Sequence, residues 1–347
     1  MVLVELCEDL LDEIIARLPP KFILQFRCVS KSRCSRIDSS NFIRKQSIQS
    51  ATRARRTVNV AHQVHIEKDV FKMLHGSKRK GPFLELDSLK LLGGFNAFDS
   101  CYGIMCLYKK TNFLSITLWN PSIRRKLNVP NVPYDPCQKY SVVFGFGYDP
   151  IVDDYNIVGL SYGTNLQTLF LFSTKKNVWS EIDLPKADPP FMVRSSQASF
   201  VDGVMHWLVQ NDSPNTNDSY ILTFDLSNRV FGTISLPNIT RGNTNLLITN
   251  GYLSVISDDG VDSSMWLRKI DDNNLESWSK PFKVRCYDII GGTRVYRIKK
   301  EVPKAYNPFS GVSRIAVSSS NSSVKYEINV YVETLALLDN KNCSTNE

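Results

Sequence analysis

Leu6, Leu10, Ile14 and Leu18 recur every fourth residue near the start of the chain, with Leu11 and Ile15 beside them, so one wide helical face is apolar. Glu8, Asp9, Asp12 and Glu13 take the other face, and Glu13 stands four residues before Arg17, a spacing that supports a helix. Pro19 and Pro20 end it, and a second helix starts at once, since proline is tolerated in a first turn. Phe22, Ile23, Phe26 and Val29 are expected to form the buried stripe of that helix. A third helical piece is expected from roughly Asp38 to Gln49, with Ser39 and Ser40 as caps and Phe42, Ile43 and Ile48 as apolar positions. About fifty residues are too few to bury two broad apolar faces, so part of that surface is expected to await another protein.

From Ala51 to about Gly81 the periodicity gives way to charge, with short alternating pieces at Thr57-Val58-Asn59-Val60 and Val64-His65-Ile66, and a junction is expected there. Beyond Phe83 the chain reads as short β-type runs separated by Gly, Asn, Asp and Pro. A unit recurs: LSITLWNPSIRRKLNVP closes at Pro130, TLFLFSTKKNVWSEIDLP at Pro185 and YILTFDLSNRVFGTISLP at Pro237. Phe172 to Trp179 and Phe224 to Phe231 are the same step, and a looser fourth copy carries Trp278. Trp119, Trp179, Phe231 and Trp278 are therefore expected in the sheet cores. Turns containing Gly103, Gly203 and Gly251 are placed to join hairpin strands. A spacing near fifty residues signals propeller blades or another stacked β array.

The length of 347 residues and an apolar content of 42% provide for a large core and two domains. No apolar run approaches the ~20 residues of a membrane span. The start, MVLVELCEDLLDE, turns acidic early and lacks a basic leader, so the cytoplasm, the nucleus or both are expected. Eight cysteines without close-paired spacing read as free thiols and not as a zinc site. The net charge of +8 lies entirely within residues 1–80. Its densest pieces are Arg53, Arg55 and Arg56 and the run Ser77 to Lys80, which fit a nuclear address or a phosphate-binding patch. A solvated linker is preferred, because no aromatic residues interleave with these charges as a nucleic-acid groove requires.

Chemistry-bearing patterns are sparse. Gly145-x-Gly147 is followed by Tyr148, Asp149 and Pro150, without a third glycine or a helix to receive an anion, so a tight turn at a strand end is expected. His206 sits in an alternating strand beside Trp207 with no nucleophile motif around it. His62 and His65 have a ligand-like spacing but no further partners. The acidic pairs Asp153-Asp154, Asp258-Asp259 and Asp271-Asp272 fall in expected turns, which aspartate favours. No catalytic group, cofactor or metal is expected. The loops Asn131 to Gln138, Lys186 to Arg194, Asn211 to Asp218 and Ser257 to Ser264 are the candidates for contact with a partner.

The helical stretch resembles the F-box, and most closely its plant form. The resemblance is carried by Leu6, Asp9-Leu10-Leu11, Glu13-Ile14, Arg17-Leu18-Pro19, Ile23-Leu24 and Arg27-Cys28-Val29-Ser30-Lys31-Ser32. Cys7 stands where the family usually has proline and Arg33 where it usually has tryptophan. The β half resembles the F-box-associated domain of plant F-box proteins and, more distantly, kelch-type propellers. It is carried by Trp119-Asn120-Pro121-Ser122, Gly145-Phe146-Gly147-Tyr148-Asp149, Val204-x-His206-Trp207, Phe224-Asp225 and Val330-Tyr331-Val332-Glu333-Thr334-Leu335. The expected fold class is α+β: a small N-terminal helical F-box over 1–50, a junction over 51–82, an all-β, propeller-like repeat domain over 83–340 and a tail over 341–347.

The resemblance implies the substrate-recognition subunit of an SCF-type cullin–RING ubiquitin ligase. Leu6, Leu10, Ile14, Leu18, Pro19, Leu24 and Val29 are its implied contacts with a SKP-type adaptor or the packing beneath them. The β domain would then hold a target protein, and neither a membrane nor a nucleic acid is an expected partner. A β-propeller enzyme or sugar-binding module with an incidental helical leader is the alternative.

Overall fold

Four short helices lead the chain: α1 (Glu8–Ile15), α2 (Pro20–Phe26), α3 (Lys31–Ile37) and α4 (Ser40–Thr52). They belong to a computed structural model that describes residues 7–52, 57–64, 69–75, 84–91, 95–109, 112–133, 140–163, 168–184, 191–195, 197–211, 218–239, 243–249, 252–258, 263–270, 276–279, 282–290, 293–297, 315–318 and 325–345. Pro20 occupies the first turn of α2, where its missing N–H has no partner to lose. Ser39 accepts a hydrogen bond from the Phe42 amide at 3.3 Å, which fixes the start of α4. The pattern of apolar positions does not reveal α3. Its sequence KSRCSRI buries only Ile37, and what starts it is a cap, the Ser30 hydroxyl accepting from the Arg33 amide at 3.1 Å. Among the described residues no helix is long and apolar enough to cross a membrane.

Apart from a 3-10 turn at Pro121–Ile123, the elements that follow among the described residues are β-strands in a propeller-like repeat, and they form five sheets. Four of them are built from consecutive segments, the first with one added strand from far along the chain. The first runs Phe95–Cys101, Ile104–Lys109, Asn112–Asn120, Arg125–Asn128 and then Ser344–Thr345, so a strand from the expected tail lies on its outer edge. The second runs Tyr140–Asp149, Asp154–Gly163, Thr168–Ser173 and Val178–Asp183. The third holds Val204–Asn211, Ser219–Asp225 and Val230–Ser235, with Phe191–Val193 and Ser199–Val201 both pairing to Val204–Asn211. The fourth begins Asn243–Thr249, Tyr252–Asp258 and Ser263–Ile270. The fifth joins Thr57–Val64, Asp69–His75 and Leu84–Leu91 to Ile315–Ser318 and Lys325–Val332. The stretch 51–82, expected as a junction, thus contributes two strands, in keeping with the alternation at Thr57–Val60.

The sequence repeat is a structural one, with a change of slot. Asn120 faces Arg125, Ser173 faces Val178 and Asp225 faces Val230, and each pair brackets a four-residue loop. The last loop residue is left-handed in all three: Arg124 at φ 55°, Asn177 at 53° and Arg229 at 59°. Counting inward, Trp119 falls with Phe172 and Phe224, and all three are fully buried. The expectation of a place in the sheet core therefore holds for Trp119 and is corrected for Trp179, Phe231 and Trp278, which are only half-buried. Trp179 and Phe231 lie on the outer strands, half-buried, each tilted against the inner ring opposite at 5.3 Å and 4.8 Å.

The outer tryptophans have a second task. Trp179 Nε1 donates to the Pro130 carbonyl at 2.8 Å, and Trp278 Nε1 donates to the Ser235 carbonyl at 2.9 Å. Each indole thus fastens its strand to the closing stretch of the preceding copy. Trp179→Phe keeps the ring contact and loses the bond, so it is expected to lower stability in urea by about 1 kcal/mol. An unchanged midpoint would mean that water replaces the bond fully.

Gly145 and Gly147 lie within the strand Tyr140–Asp149, not in a turn at its end as expected. Being two apart they share one face of that strand. A Cβ at Gly145 would meet Ala198 Cβ at 2.5 Å, and one at Gly147 would meet the Phe200 ring at 2.6 Å. The two glycines exist so that the second and third sheets can approach. The chain divides into two compact units, Met1–Val129 with Asn329–Glu347, and Pro130–Ile328.

Candidate functional site

The apolar stripe at the start of the chain splits into two faces. Ile15, Ala16, Ile23, Ile37, Phe42 and Ile43 turn inward and are buried, with Leu11, Leu18 and Leu24 half-buried beside them. Leu10 (55% exposed), Ile14 (49%), Phe22 (50%), Phe26 (38%) and Val29 (71%) are left in solvent. Phe22, Phe26 and Val29 were expected in the buried stripe of the second helix; only Ile23 of that group is buried. The reason is angular: Phe22 and Phe26 are one turn apart and share a stripe, and Ile23 lies round the helix from it, about 100° from Phe22 and about 60° from Phe26. Pro19, the N-cap of α2, is half-buried. Leu6 lies outside the described residues. Of the implied contacts, then, Leu10, Ile14 and Val29 are free to meet a partner, while Leu18 and Leu24 also support the core.

Ion pairs hold these short helices in register. Arg36 reaches Asp12 at 2.6 Å and Asp9 at 3.4 Å, tying α3 to α1, and Lys45 meets Glu13 at 2.7 Å, tying α4 to α1. The Lys45 ammonium holds the Glu13 carboxyl below its ordinary range, and Asp12 raises the Arg36 guanidinium above its own. Arg27 meets Asp38 at 2.6 Å, which raises Arg27 in the same way. Pairs as exposed as these stabilise little one by one, and their use is to fix geometry. Arg33, where the family usually has tryptophan, pairs with Glu8 at 3.2 Å. Cys7 is the N-cap of α1 without a capping side chain, and its thiol is exposed.

The inward face is closed by residues from elsewhere in the same compact unit. Ile123, Leu335 and Leu338 complete its core. The Leu335 amide donates to Gln46 Oε1 at 2.9 Å, and Ser40 Oγ donates to Asp339 Oδ2 at 2.8 Å. On its other side the same segment is fastened to the first sheet. Asn120 Nδ2 donates to the carbonyls of Thr334 at 3.0 Å and Ala336 at 2.8 Å. The Tyr331 hydroxyl donates to Asn120 Oδ1 at 2.6 Å, so its one proton is used and the Ser122 hydroxyl donates to it at 2.8 Å. Burial pushes the Tyr331 phenol far up, which keeps it a donor. Arg125 donates to the carbonyls of Leu338, Asn340 and Cys343 at 3.0, 2.9 and 3.3 Å. The string from Val330 to Leu335, which in the sequence carries only a family likeness, thus helps to join helices to sheet, beside Ile123, Leu338 and Asp339.

The other candidates are structural where they are described. His206 is buried, with Nδ1 at 3.2 Å from the Ser199 carbonyl. Asp154 is buried at a turn and accepts from Thr174 Oγ1 at 2.7 Å and from the Lys175 amide at 3.0 Å. Asp149 caps its own turn through the Ile151 amide at 3.0 Å and accepts from Ser227 Oγ at 2.7 Å. Cys101 and Cys106 are buried free thiols. His65, Arg53, Arg55, Arg56, the run Ser77 to Lys80, Gly251, Asp259, Asp271, Asp272 and Cys137 lie outside the described residues, as do 134–138, 186–190, 212–217 and 259–262 of the contact loops.

Comparison with known proteins bears on both parts. The F-box domain model matches residues 3–45, and the F-box associated beta propeller domain model matches residues 77–290, more than half of the chain. An F-box/kelch-repeat protein of Arabidopsis thaliana is 24% identical over 94% of this chain and 94% of its own length. A putative F-box protein of the same plant is 28% identical over 68% of this chain and 62% of its own length. The F-box protein CPR1, also from Arabidopsis thaliana, is 24% identical over 92% of this chain and 79% of its own.

Proposed function

Since the chain belongs to the F-box-associated β-propeller family and carries an F-box ahead of that domain, we propose that it is the substrate-recognition subunit of an SCF-type cullin–RING E3 ubiquitin ligase. The helices dock on a SKP-type adaptor, and the β domain presents a target protein. The observation that carries this reading is the solvent-facing apolar set Leu10, Ile14, Phe22, Phe26 and Val29, set on helices with the F-box pattern. Leu18, Pro19 and Leu24, each half-buried, complete the implied contact set among the described residues.

The protein performs no covalent step in this reading and uses no cofactor. It contributes proximity, holding a lysine of the target near the charged conjugating enzyme and so raising the effective concentration of the two. Its place of work is the cytoplasm, the nucleus or both. The test is reconstitution of the full chain with a purified SKP-type adaptor and a cullin–RING core. Co-elution with both is expected. Failure to bind the adaptor would sink the reading in favour of a β-propeller enzyme or sugar-binding module, and adaptor binding without cullin would limit the protein to a role outside the ligase.

A further inference from the structure

We infer that residues 331–343 act as a clasp that makes the adaptor-docking surface conditional on the sheet to which it is fastened, so that opening the clasp withdraws the surface. The first half of this statement concerns the chain alone, and the second rests on the reading of the helices as an adaptor-docking module.

The clasp has two grips. Toward the helices it offers Leu335 and Leu338, both buried, the Leu335 amide on Gln46, itself buried, and Asp339 on Ser40. Toward the sheet it is gripped by Asn120, Ser122 and Arg125, while Thr334 Oγ1 donates to the Tyr102 carbonyl at 3.1 Å. Between the grips Leu337 stands at φ 71°, a left-handed conformation disfavoured for any side chain but glycine. Such a conformation persists only where its surroundings over-determine it, so the turn holds while both grips hold.

The helices need this support. They are 8, 7, 7 and 13 residues long, lengths at which an isolated helix is marginal in water. The outward residues share helices with the inward ones: Leu10 and Ile14 with Ile15 on α1, Phe22 and Phe26 with Ile23 on α2. Losing the inner face therefore loses the outer one. A protein whose first sheet or clasp is damaged would not be recruited by the adaptor, which is a check on the integrity of the receptor built into its docking surface.

The experiment uses the full chain with Leu335→Ala and Leu338→Ala together, followed by amide hydrogen exchange and by titration with a purified SKP-type adaptor. Exchange at Ile23, Ile37 and Ile43 is expected to quicken at least about tenfold, with the strand Val204–Asn211 unchanged, and adaptor affinity is expected to fall by the factor by which the folded fraction of the helices falls. Unchanged helix protection overturns the clasp, whatever the adaptor does. Protection lost to the point where the helices are mostly open, with full adaptor affinity, overturns the coupling. If the wild-type chain binds no adaptor, the functional reading fails and the exchange arm still decides the clasp. Should the double variant unfold throughout, Arg125→Met, which removes the guanidinium grip and keeps the helix core intact, is held to the same two outcomes.

Discussion

Replacing Phe22 by aspartate is expected to weaken capture of a SKP-type adaptor by at least about thirtyfold, roughly 2 kcal/mol, while the helices stay folded. Half of the Phe22 side chain is in solvent, and Ile23, not Phe22, supplies the buried contact on α2. A charge at this position therefore does little to the free protein. In the complex it is desolvated without a partner, which is where the loss of affinity arises. The same change at Leu18 is less informative, because Leu18 packs against the helix core and its replacement also unseats the module. Helicity by circular dichroism and affinity by titration are the two readouts. An adaptor affinity equal to wild type, with helicity retained, would show that α2 faces away from the adaptor.

A second large effect is expected at a pair of matched turns. Tyr102-Gly103 and Asp202-Gly203 are both hairpin turns with positive φ at each residue, 44° and 80° in the first and 52° and 82° in the second. Their surroundings differ. A Cβ on Gly203 meets nothing within 4 Å, whereas one on Gly103 runs into Thr334 Oγ1 and lies 2.7 Å from both Thr334 Cγ2 and the Val332 carbonyl oxygen. Gly203→Ala should thus cost only the left-handed strain of alanine, about 1 kcal/mol. Gly103→Ala adds a clash with backbone that cannot swing aside, and about 3 kcal/mol or more is expected. Urea unfolding of the two variants side by side isolates the steric part. Equal losses would mean that the Val332–Thr334 stretch does not press on the turn.

These residues also show what is legible in the sequence and what is not. The helical pattern, the Pro20 start of α2 and the repeat ending at Pro130, Pro185 and Pro237 are local, and local rules of period and turn chemistry read them. Helix α3 has no apolar period to read and hangs on one serine cap. The inward or outward sense of Phe22 and Phe26 depends on what covers Ile23, and that is supplied by Leu335 and Leu338, near the other end of the chain. Bulk alone places Trp179, Phe231 and Trp278 in the core, because it ignores that Trp179 and Phe231 follow the left-handed loop residue and so fall on the outer strand. Gly145 and Gly147 carry no sign that Ala198 and Phe200 are the reason for them. In each case the missing information is a long-range contact, which a sequence pattern does not contain.

The bond from the Leu335 amide to Gln46 spans 289 residues. Closure entropy grows only with the logarithm of loop length, ~0.6 kcal/mol for each doubling, so this span is a small burden at equilibrium. Its larger effect is on the order of events during synthesis. At about 5–20 residues per second, the helices leave the ribosome roughly 15–60 s before Leu335 does. Through that interval Leu335 and Leu338 are missing from the cover of their inner apolar face, to which only Ile123 has been added, and pairing so distant in sequence forms slowly once it becomes available. Holdase chaperones that bind exposed apolar helices are thus expected to set the yield of adaptor-competent protein, because helices made well before Leu335 must wait for it to reach their final packing.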